Sequence, residues 1–336
     1  MMDEIGVLVA GAGRMGAYHA RTLQGRVAGA RVAAVVDTDP ATAEALGREL
    51  GVPAFTDAQA ALGAGGVQAV VVATPSATHD TWIGQAARAG LPVFCEKPLA
   101  TDVEAARRAL DTVRSAGVPL QIGYQRRFDR GFQALRARVQ SGQLGRVLLA
   151  KSSSRDPEMS PISYLRGSGG IFRDQMIHDI DILRYLTGRE AVEVHATGGA
   201  FFAPELAELG DVDTAVLLVR FDDASLGVAD ASRRSGYGHD IAAEVFGSEG
   251  TARLDPAKDE PITVFGPAGA GWRLPYWFLE RFAEAYEREL AAFVGVVRGQ
   301  AEPLVSGRDA LADMLVADAA TRSLASGHPE PVPPLD

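Results

Sequence analysis

Three glycines near the N-terminus constrain the fold more than any other feature of the sequence. The apolar run at residues 5–10 leads into residues 11–16, which read Gly-Ala-Gly-Arg-Met-Gly, and a helical stretch follows to about residue 23. A strand that turns through such glycines into a helix is typical of a dinucleotide-binding unit. Gly11 would permit the tight turn, Gly13 would let the backbone approach a pyrophosphate, and Gly16 would let the helix pack closely on the strand. The phosphate would rest on backbone N–H groups where the helix begins.

An acidic residue at a suitable distance extends this pattern to a specific cofactor. A second apolar run at residues 32–36 ends in Asp37, which lies 21 residues beyond Gly16. A carboxylate there accepts hydrogen bonds from the ribose hydroxyls of NAD and repels the 2′-phosphate of NADP. The alternative is that Asp37 only caps the next helix. We expect NAD rather than NADP as the cofactor.

The rest of the first third alternates short apolar strands with helices. Strand-like runs lie at residues 53–55, 69–73, 91–95 and 119–123, and helical stretches lie at 40–50, 78–89 and 102–116. This alternation predicts an α/β fold with a doubly wound parallel sheet, whose ligands bind beyond the carboxyl ends of the strands. We therefore assign residues 1–123 to an NAD-binding Rossmann domain.

Several side chains follow directly after these strands. The residues expected to contact the cofactor are Gly11, Ala12, Gly13, Arg14, Met15, Asp37, Thr74, Pro75, His79, Glu96 and Lys97. Lys97 lies just past a strand end and next to Pro98, where nicotinamide would meet a substrate. The alternative is an ordinary surface lysine, since loops at strand ends carry many of them.

After residue 123 the pattern changes from alternating strands and helices to successive strands. Strand-like segments lie at residues 147–153, 192–197, 214–221, 225–232, 241–246 and 251–254. Short turns between several of them are typical of antiparallel hairpins. Residues 124–336 are therefore predicted to form an α+β domain with an open, mostly antiparallel sheet that serves substrate binding and oligomerisation. A helix would cover one sheet face, and the other face would be a natural oligomer surface.

A short polar pattern in this second domain suggests chemistry. Asp174 and His178 lie four residues apart, with Asp181 three residues further on. Four residues is just over one helical turn, so the carboxylate and the imidazole would share one face of one helix. Such a pair suits proton transfer, because imidazole titrates near working pH. The alternative is an exposed, charged helix face.

Composition excludes several other classes of function. The formal charge of −10 and the pI near 5.2 argue against nucleic acid and against a basic membrane patch. No apolar run approaches the 18 or so residues of a membrane-spanning helix, and the first residues lack a basic signal region. Cys95 is the only cysteine, so we expect no disulfide, and the six scattered histidines favour no metal site. These features predict a cytoplasmic protein.

Taken together, the motifs resemble the Gfo/Idh/MocA family of NAD(P)-dependent oxidoreductases over essentially the whole chain. The family uses a Glu-Lys-Pro motif, which matches residues 96–98, and an acid followed four residues later by histidine, which matches Asp174 and His178. The resemblance implies a Rossmann domain followed by a domain with an open sheet.

Within the family, the sequence most resembles the inositol 2-dehydrogenases. The resemblance lies in residues 126–129, residues 169–181, and residues 232–240. It implies NAD-dependent oxidation of a secondary ring hydroxyl of a cyclic polyol, such as myo-inositol to 2-keto-inositol. The catalytic residues that it implies are Lys97, Asp174 and His178, and the substrate contacts are Lys97, Arg127, Asp156, Asp174, His178 and Tyr237. His178 would be the base, and Lys97 would polarise the reacting oxygen.

Departures from the related sequences leave alternatives open. Gln175, Met176 and His239 differ from the residues that inositol enzymes often carry, and they fall near the expected substrate cavity. Another cyclitol, such as scyllo-inositol or an aminocyclitol, or an aldose is therefore an alternative substrate. A dinucleotide-sensing regulator without catalysis is a second alternative. Such a protein would tolerate loss of the lysine or the histidine, and this sequence has both. The resemblance also implies a homotetramer, and an isologous dimer fits the sequence equally well.

Overall fold

The computed structural model describes residues 4–267 and 269–335, which divide into two compact units. One unit takes the chain up to Phe128 together with Glu284–Leu311, and the other takes Asp129–Ala283 together with the chain from Ala312. The predicted boundary at residue 123 lies five residues before the observed one. The return of Glu284–Leu311 to the first unit was not predicted, because a linear reading of strands and helices does not show where a late helix packs.

The elements follow one another as the sequence patterns suggest, with a few additions. The strands are β1 (Ile5–Ala10), β2 (Ala30–Val36), β3 (Ala54–Phe55), β4 (Ala69–Val72), β5 (Val93–Glu96), β6 (Leu120–Gly123), β7 (Val147–Arg155), β8 (Ala191–Gly199), β9 (Thr214–Phe221), β10 (Leu226–Ser232), β11 (Asp240–Gly247), β12 (Thr251–Leu254), β13 (Val264–Gly266), β14 (Gly269–Gly271) and β15 (Glu330–Pro331). The helices are α1 (Arg14–Arg26), α2 (Pro40–Leu50), α3 (Ala58–Leu62), α4 (His79–Arg88), α5 (Val103–Ala116), α6 (Arg130–Gln140), α7 (Ile162–Leu165), α8 (Ile171–Asp174), α9 (Ile177–Thr187), α10 (Phe278–Arg281), α11 (Ala283–Val297) and α12 (Gly307–Ser326).

The first unit is built on a parallel sheet with the strand order β3-β2-β1-β4-β5-β6. Strands β1 and β4 are apolar and almost entirely buried, as expected for strands covered by helices on both faces. The order reverses between β1 and β4, and a crevice for a dinucleotide forms at such a switch point. The predicted doubly wound sheet is confirmed.

The core of this unit joins the sheet to helices from both ends of its sequence. Val9, Val35 and Val71 pack with Leu290 and Phe293 of α11, and all five are buried. Helix α11 therefore completes the core that β1, β2 and β4 begin.

The second unit contains a mixed, mostly antiparallel sheet with the order β12-β11-β7-β10-β9-β8-β15. Only β7 and β10 run parallel among these described neighbours, and the other pairs are antiparallel. Burial alternates along β9, so one sheet face is covered and the other is open. The predicted open sheet is confirmed.

The covered face of this sheet packs against helix α9. Asp179 of α9 is fully buried and accepts hydrogen bonds from the hydroxyls of Ser152 and Ser154 on β7, at 2.6 and 2.7 Å to Oδ1. These bonds attach the helix to the sheet and fix where its first turn lies. In the part of the chain that the structure describes, no helix is long and apolar enough to cross a membrane.

Candidate active site

The glycine turn has the shape that the sequence predicts. Gly11 adopts φ +92°, and a Cβ atom there would lie 2.5 Å from the carbonyl oxygen of Ala73. A Cβ on Gly16 would lie 1.8 Å from the Gly11 oxygen, so helix α1 packs directly on the turn. A Cβ on Gly13, by contrast, would meet no protein atom within 4 Å. The open space at Gly13, at the start of α1, therefore fits a pyrophosphate bound to backbone N–H groups.

Asp37 lies beside this turn. Its Oδ2 accepts the Ala12 N–H at 2.7 Å, and its Oδ1 accepts the Asp39 N–H at 3.0 Å. The cap of helix α2 is Asp39, which accepts from the amides of Ala41 and Thr42. The alternative that Asp37 only caps this helix is therefore wrong. Each carboxylate oxygen keeps further acceptor capacity for ribose hydroxyls, so the residues present fit NAD.

Thr74, Pro75 and His79 follow strand β4, as predicted. Thr78 donates its hydroxyl to the Pro75 carbonyl and to Thr74 Oγ1, both at 2.8 Å, which orders this loop. His79 is 1% exposed, and its ring nitrogens face the carbonyl oxygens of Pro98 and Thr74. The prediction that His79 contacts the cofactor is therefore revised: its ring holds the surrounding loops instead.

Glu96 and Lys97 end strand β5 and begin the loop after it. The Glu96 Oε1 lies 2.7 Å from Nε2 of the buried His19, and Glu96 Oε2 accepts the Lys97 N–H at 3.2 Å. Lys97 is half-buried. Both carboxylate oxygens of Glu96 thus bond other groups of the protein. Within the Glu-Lys-Pro motif, Lys97 is the residue whose charged group suits a ligand.

Arg127, a predicted polyol contact, is 5% exposed. Its Nη2 donates to Asp309 Oδ1 at 3.1 Å, and its Nη1 donates to the Leu304 carbonyl at 3.2 Å. A guanidinium that is buried and engaged in this way holds the protein together. We therefore withdraw Arg127 as a polyol contact.

Asp174 and His178 do not lie on one helix, and that prediction is wrong. Asp174 is the last residue of α8, and His178 is the second residue of α9. Between them the helix widens, because the Met176 N–H donates to the Ile171 carbonyl five residues back, at 2.8 Å. Both predicted residues are half-buried, at the junction of the two helices.

The Asp174 carboxylate is held on two sides. Its Oδ2 accepts from Nη1 of Arg233 at 2.9 Å, and its Oδ1 accepts the Tyr164 hydroxyl at 3.0 Å. Arg233 is 3% exposed, and its Nη2 donates to Asp211 at 3.0 Å. Charge-assisted hydrogen bonds of this kind fix the orientation of a carboxylate.

Asp156 and Tyr237 were predicted as further polyol contacts. Asp156 Oδ1 lies 3.2 Å from Nδ1 of His239, which is buried. Tyr237 is 58% exposed and donates its hydroxyl to Asp240 at 2.7 Å. Burial and the hydrogen bond to Asp240 raise the pKa of Tyr237 above its ordinary value, so the phenol remains a donor. Both residues keep acceptor or donor capacity for a ligand.

The residues that depart from related sequences are buried. Gln175 donates its amide to the Ser232 carbonyl at 2.9 Å, Met176 is fully buried, and His239 lies behind Asp156. They shape the backbone and the neighbours of the site. That these departures leave the identity of the polyol open stays a prediction.

Sequence reasoning assigned no role to His19, Tyr164, Asp211 or Arg233. The signal available for His19 was a polar residue on the buried side of α1, and for Arg233 it was its presence in one of the stretches that carry the resemblance. The contacts of Asp211 and Tyr164 depend on chain segments that are remote in sequence, which no local pattern shows.

The cysteine and the metal-ligating side chains are further candidates for a site. Cys95 is fully buried, and burial raises the pKa of its thiol, which disfavours the nucleophilic thiolate. Among residues 4–267 and 269–335, no group of three or more His, Cys, Asp or Glu side chains is arranged to hold a metal ion.

Two family models match this chain. Residues 5–124 match the oxidoreductase family with an NAD-binding Rossmann fold, Gfo/Idh/MocA, and residues 132–253 match the Gfo/Idh/MocA C-terminal domain. Among curated relatives, scyllo-inositol 2-dehydrogenase (NAD(+)) of Bacillus subtilis is 37% identical over 98% of this chain and 96% of its own length. Myo-inositol 2-dehydrogenase of Thermotoga maritima is 38% identical over 95% of this chain and 96% of its own length.

Solved structures agree with the sequence relatives. The scyllo-inositol dehydrogenase of Lactobacillus casei, with bound NAD(H) and scyllo-inositol, is 29% identical, has a TM-score of 0.93, and is matched over 98% of this chain and 99% of that chain. The two family models cover residues 5–124 and 132–253, and the relatives and this solved structure match nearly the whole chain. The chain belongs to the Gfo/Idh/MocA family of NAD-binding oxidoreductases.

Proposed function

We propose that this enzyme oxidises a secondary ring hydroxyl of a cyclic polyol with NAD, and that its substrate is myo-inositol, which becomes 2-keto-inositol. The observation that carries the proposal is the pairing, in one chain, of the Asp37 nucleotide loop with Lys97, Asp174 and His178, in a sequence that matches inositol dehydrogenases over nearly its full length. Because the reaction needs NAD, we place it in the cytoplasm.

The proposed chemistry separates a hydride from a proton. Bound NAD accepts the hydride from the carbon that carries the hydroxyl. His178 takes the hydroxyl proton, since a base must act on that oxygen as the hydride leaves. The Lys97 ammonium donates a hydrogen bond to the same oxygen and stabilises the developing alkoxide charge.

Asp174 binds a neighbouring hydroxyl of the ring. Its carboxylate, oriented by Arg233 at 2.9 Å, would accept a hydrogen bond from a donor at one ring position. The exposed Tyr164 hydroxyl, bonded to the other oxygen, marks where that donor would lie. Asp156 and Tyr237 are proposed as further contacts. A pocket with several paired polar groups discriminates between stereoisomers, because a misplaced hydroxyl leaves a partner unsatisfied.

We also propose a homo-oligomer, either a tetramer or a dimer, that covers the open face of the second sheet. Val216, Leu218, Leu226 and Phe246 on this sheet are between 37% and 50% exposed. An apolar face of this kind is typical of a surface between subunits. Light scattering of the purified protein should give the mass of two or four chains, and Leu218→Glu should reduce it.

A second candidate is supported by the range of the relatives. They include dehydrogenases of scyllo-inositol as well as of myo-inositol, at similar identity. The buried departures at Gln175 and His239 alter what lies behind the site. Oxidation of scyllo-inositol, of an aminocyclitol or of an aldose is therefore the alternative, and a regulator without catalysis is a more distant one.

A panel of substrates tests the proposal. The purified enzyme would be incubated with myo-inositol, scyllo-inositol, an aminocyclitol and an aldose, with NAD or NADP, and NADH absorbance would be followed. We expect the highest kcat/KM with myo-inositol and NAD. A higher value with another member of the panel would support the second candidate, and no turnover of any member would contradict the proposed class of reaction.

A lysine variant tests the proposed chemistry. Lys97→Ala should lower kcat by about 10²–10³-fold, the usual effect of removing a donor to a developing oxyanion. NADH binding, measured by fluorescence, should change little, because the nucleotide loop is intact. Unchanged turnover would remove Lys97 from the mechanism.

A further inference from the structure

Two histidines of the first unit flank the loop that carries Lys97. His19 lies on α1, immediately after the glycine turn, and His79 begins α4. The two are 0% and 1% exposed. Histidine is expensive to bury unless its ring nitrogens are paired, so two such residues beside one loop require an explanation.

His19 holds the residue before Lys97. Its Nε2 lies 2.7 Å from Glu96 Oε1, and the other oxygen of Glu96 accepts the Lys97 N–H at 3.2 Å. The His19 ring packs edge-on against Phe94 and Tyr286, with ring centres 5.5 and 5.8 Å apart. The imidazole is thus fixed by aromatic neighbours on one side and the carboxylate on the other.

Space around the Glu96 carboxylate is restricted as well. A Cβ on Gly123 of the neighbouring strand would lie 3.2 Å from Glu96 Oε2 and 3.1 Å from the Phe94 ring. The absence of a side chain at Gly123 therefore makes room for the carboxylate and little more. The amide of Lys97 is bonded to the carboxylate in this space.

His79 holds the residue after Lys97. Its Nδ1 lies 2.7 Å from the Pro98 carbonyl oxygen, and its Nε2 lies 2.9 Å from the Thr74 carbonyl oxygen. Carbonyls only accept hydrogen bonds, so a neutral ring can bond one of them and an imidazolium can bond both. In either state the ring lies between the loop after β4 and the loop after β5.

We propose that His19 and His79 are positioning residues that hold the backbone of Lys97 from its two sides. This inference rests on the proposed function, in which the Lys97 ammonium meets the reacting oxygen. The two histidines come from α1 and α4, which also border the nucleotide loops. The same contacts therefore place Lys97 relative to the glycine turn as well as within its own loop.

The alternative is that both histidines only fill the core. Filling a core needs volume and no polar atoms, and an apolar side chain would do so without a desolvation cost. Three of the four ring nitrogens lie within 3 Å of an oxygen of this loop or of the loop after β4. These contacts with loop oxygens favour a role in positioning Lys97 over a role in filling the core.

The test compares three variants in the full-length enzyme. His19→Ala should lower kcat by about 100-fold, the scale expected when a reacting group shifts by about 1 Å. His19→Gln should recover most of the rate, because its amide can still donate to Glu96. The matched control is Leu23→Ala, one turn further along α1 and fully buried, which should lower the melting temperature but leave kcat within about twofold of the wild type. Leu23→Val replaces it if the alanine variant does not fold.

His79 is tested in the same way. His79→Ala should lower kcat, and His79→Gln should recover part of it, because its amide can still donate to the Pro98 carbonyl. In the double variant, with both His19 and His79 changed to alanine, the fold-loss of kcat should be smaller than the product of the two single fold-losses. The reason is that both histidines act through Lys97. Multiplicative losses would contradict a shared role.

A readout without turnover separates this inference from the proposed function. The rate at which an acylating reagent modifies Lys97, followed by mass spectrometry of its peptide, should change in His19→Ala and not in Leu23→Ala. Hydrogen exchange at residues 96–99 should accelerate in the same variant. If the wild type oxidises no polyol but these readouts change, the proposed function fails and the positioning role stands. If kcat, labelling and exchange change no more in His19→Ala than in the Leu23 control, the positioning role is overturned.

Discussion

Lys97 and Asp174, the two charged residues assigned to the substrate, are held in place by opposite means. Lys97 is held through the backbone around it, by the carboxylate of Glu96 and by the carbonyl of Pro98. Asp174 is held through its own carboxylate, by Arg233 and by Tyr164. The first arrangement fixes the backbone from which the lysine side chain extends, whereas the second fixes the charged group itself.

The difference matches what each residue is proposed to do. An ammonium that donates to charge developing on an oxygen acts through its position, and a fixed backbone defines the point from which its side chain extends. A carboxylate that selects one hydroxyl of a ring must not move, because specificity depends on its position.

The largest effect is expected at His178, the base assigned beside Asp174. His178→Ala should lower kcat by about 10²–10⁴-fold, the usual contribution of a positioned acid or base. The rise of the rate with pH through the ordinary imidazole range should disappear as well. Both would be measured from pH profiles of kcat and kcat/KM. If that rise persists, the base lies elsewhere and Asp174 no longer has a catalytic neighbour.

A variant of Arg233 tests whether the ion pair with Arg233 holds the Asp174 carboxylate in place. Arg233→Ala would leave the carboxylates of Asp174 and Asp211 without their cation, and should lower the free energy of unfolding by about 3–5 kcal/mol, as expected for a broken buried ion pair. Urea denaturation would measure it, and KM for the polyol should rise in the folded fraction. The control is Arg21→Ala, which breaks an exposed pair with Glu49 and should leave stability nearly unchanged. Equal effects of the two changes would show that Asp174 needs no cation.

Asp37 provides the equivalent test for the nucleotide loop. Asp37→Ala should raise KM for NAD by about tenfold or more, because hydrogen bonds to a charged group contribute about 1.5–3 kcal/mol. The preference for NAD over NADP should narrow in parallel. Asp39→Ala removes the cap of α2 but not the ribose carboxylate, so it should leave cofactor preference unchanged. If the Asp37 variant keeps the wild-type preference for NAD over NADP, another group binds the ribose hydroxyls.

The smallest effect is expected at Tyr164, and its direction is informative. Tyr164→Phe removes the hydroxyl that occupies one oxygen of Asp174, so a substrate hydroxyl no longer has to displace it. KM for the polyol should fall by about two- to tenfold, which corresponds to the net value of one hydrogen bond. Steady-state kinetics with the preferred polyol would show it. A rise in KM would instead mean that Tyr164 itself binds the substrate.

The nucleotide unit could be predicted closely from the sequence. The roles of Gly11, Gly16 and Asp37 depend on backbone turns and on distances along the chain, and both are local properties. The parallel sheet follows from the same local alternation, whereas the order of its strands was not predicted. The return of α11 to this unit could not be predicted, because apolar faces indicate that a helix packs without showing what it packs against.

The second unit was predictable in outline and not in its contacts. The strands of its sheet lie close to their predicted positions, because alternating burial leaves a pattern of period two. The break between Asp174 and His178 was missed, since helical spacing does not reveal where a hydrogen-bond ladder widens. Arg127 was misread for a similar reason: an arginine can pair with Asp309 or with a ligand, and only the fold decides which.

The most direct test of the central claim follows the hydride itself. The wild-type enzyme would be given NAD and myo-inositol that carries deuterium on the carbon bearing the oxidised hydroxyl, and the reduced cofactor would be examined by mass spectrometry. We expect one deuterium in each reduced nicotinamide, with turnover greatly reduced in Lys97→Ala and in His178→Ala. Reduced cofactor without deuterium, or wild-type turnover in both variants, would contradict hydride transfer that depends on Lys97 and His178.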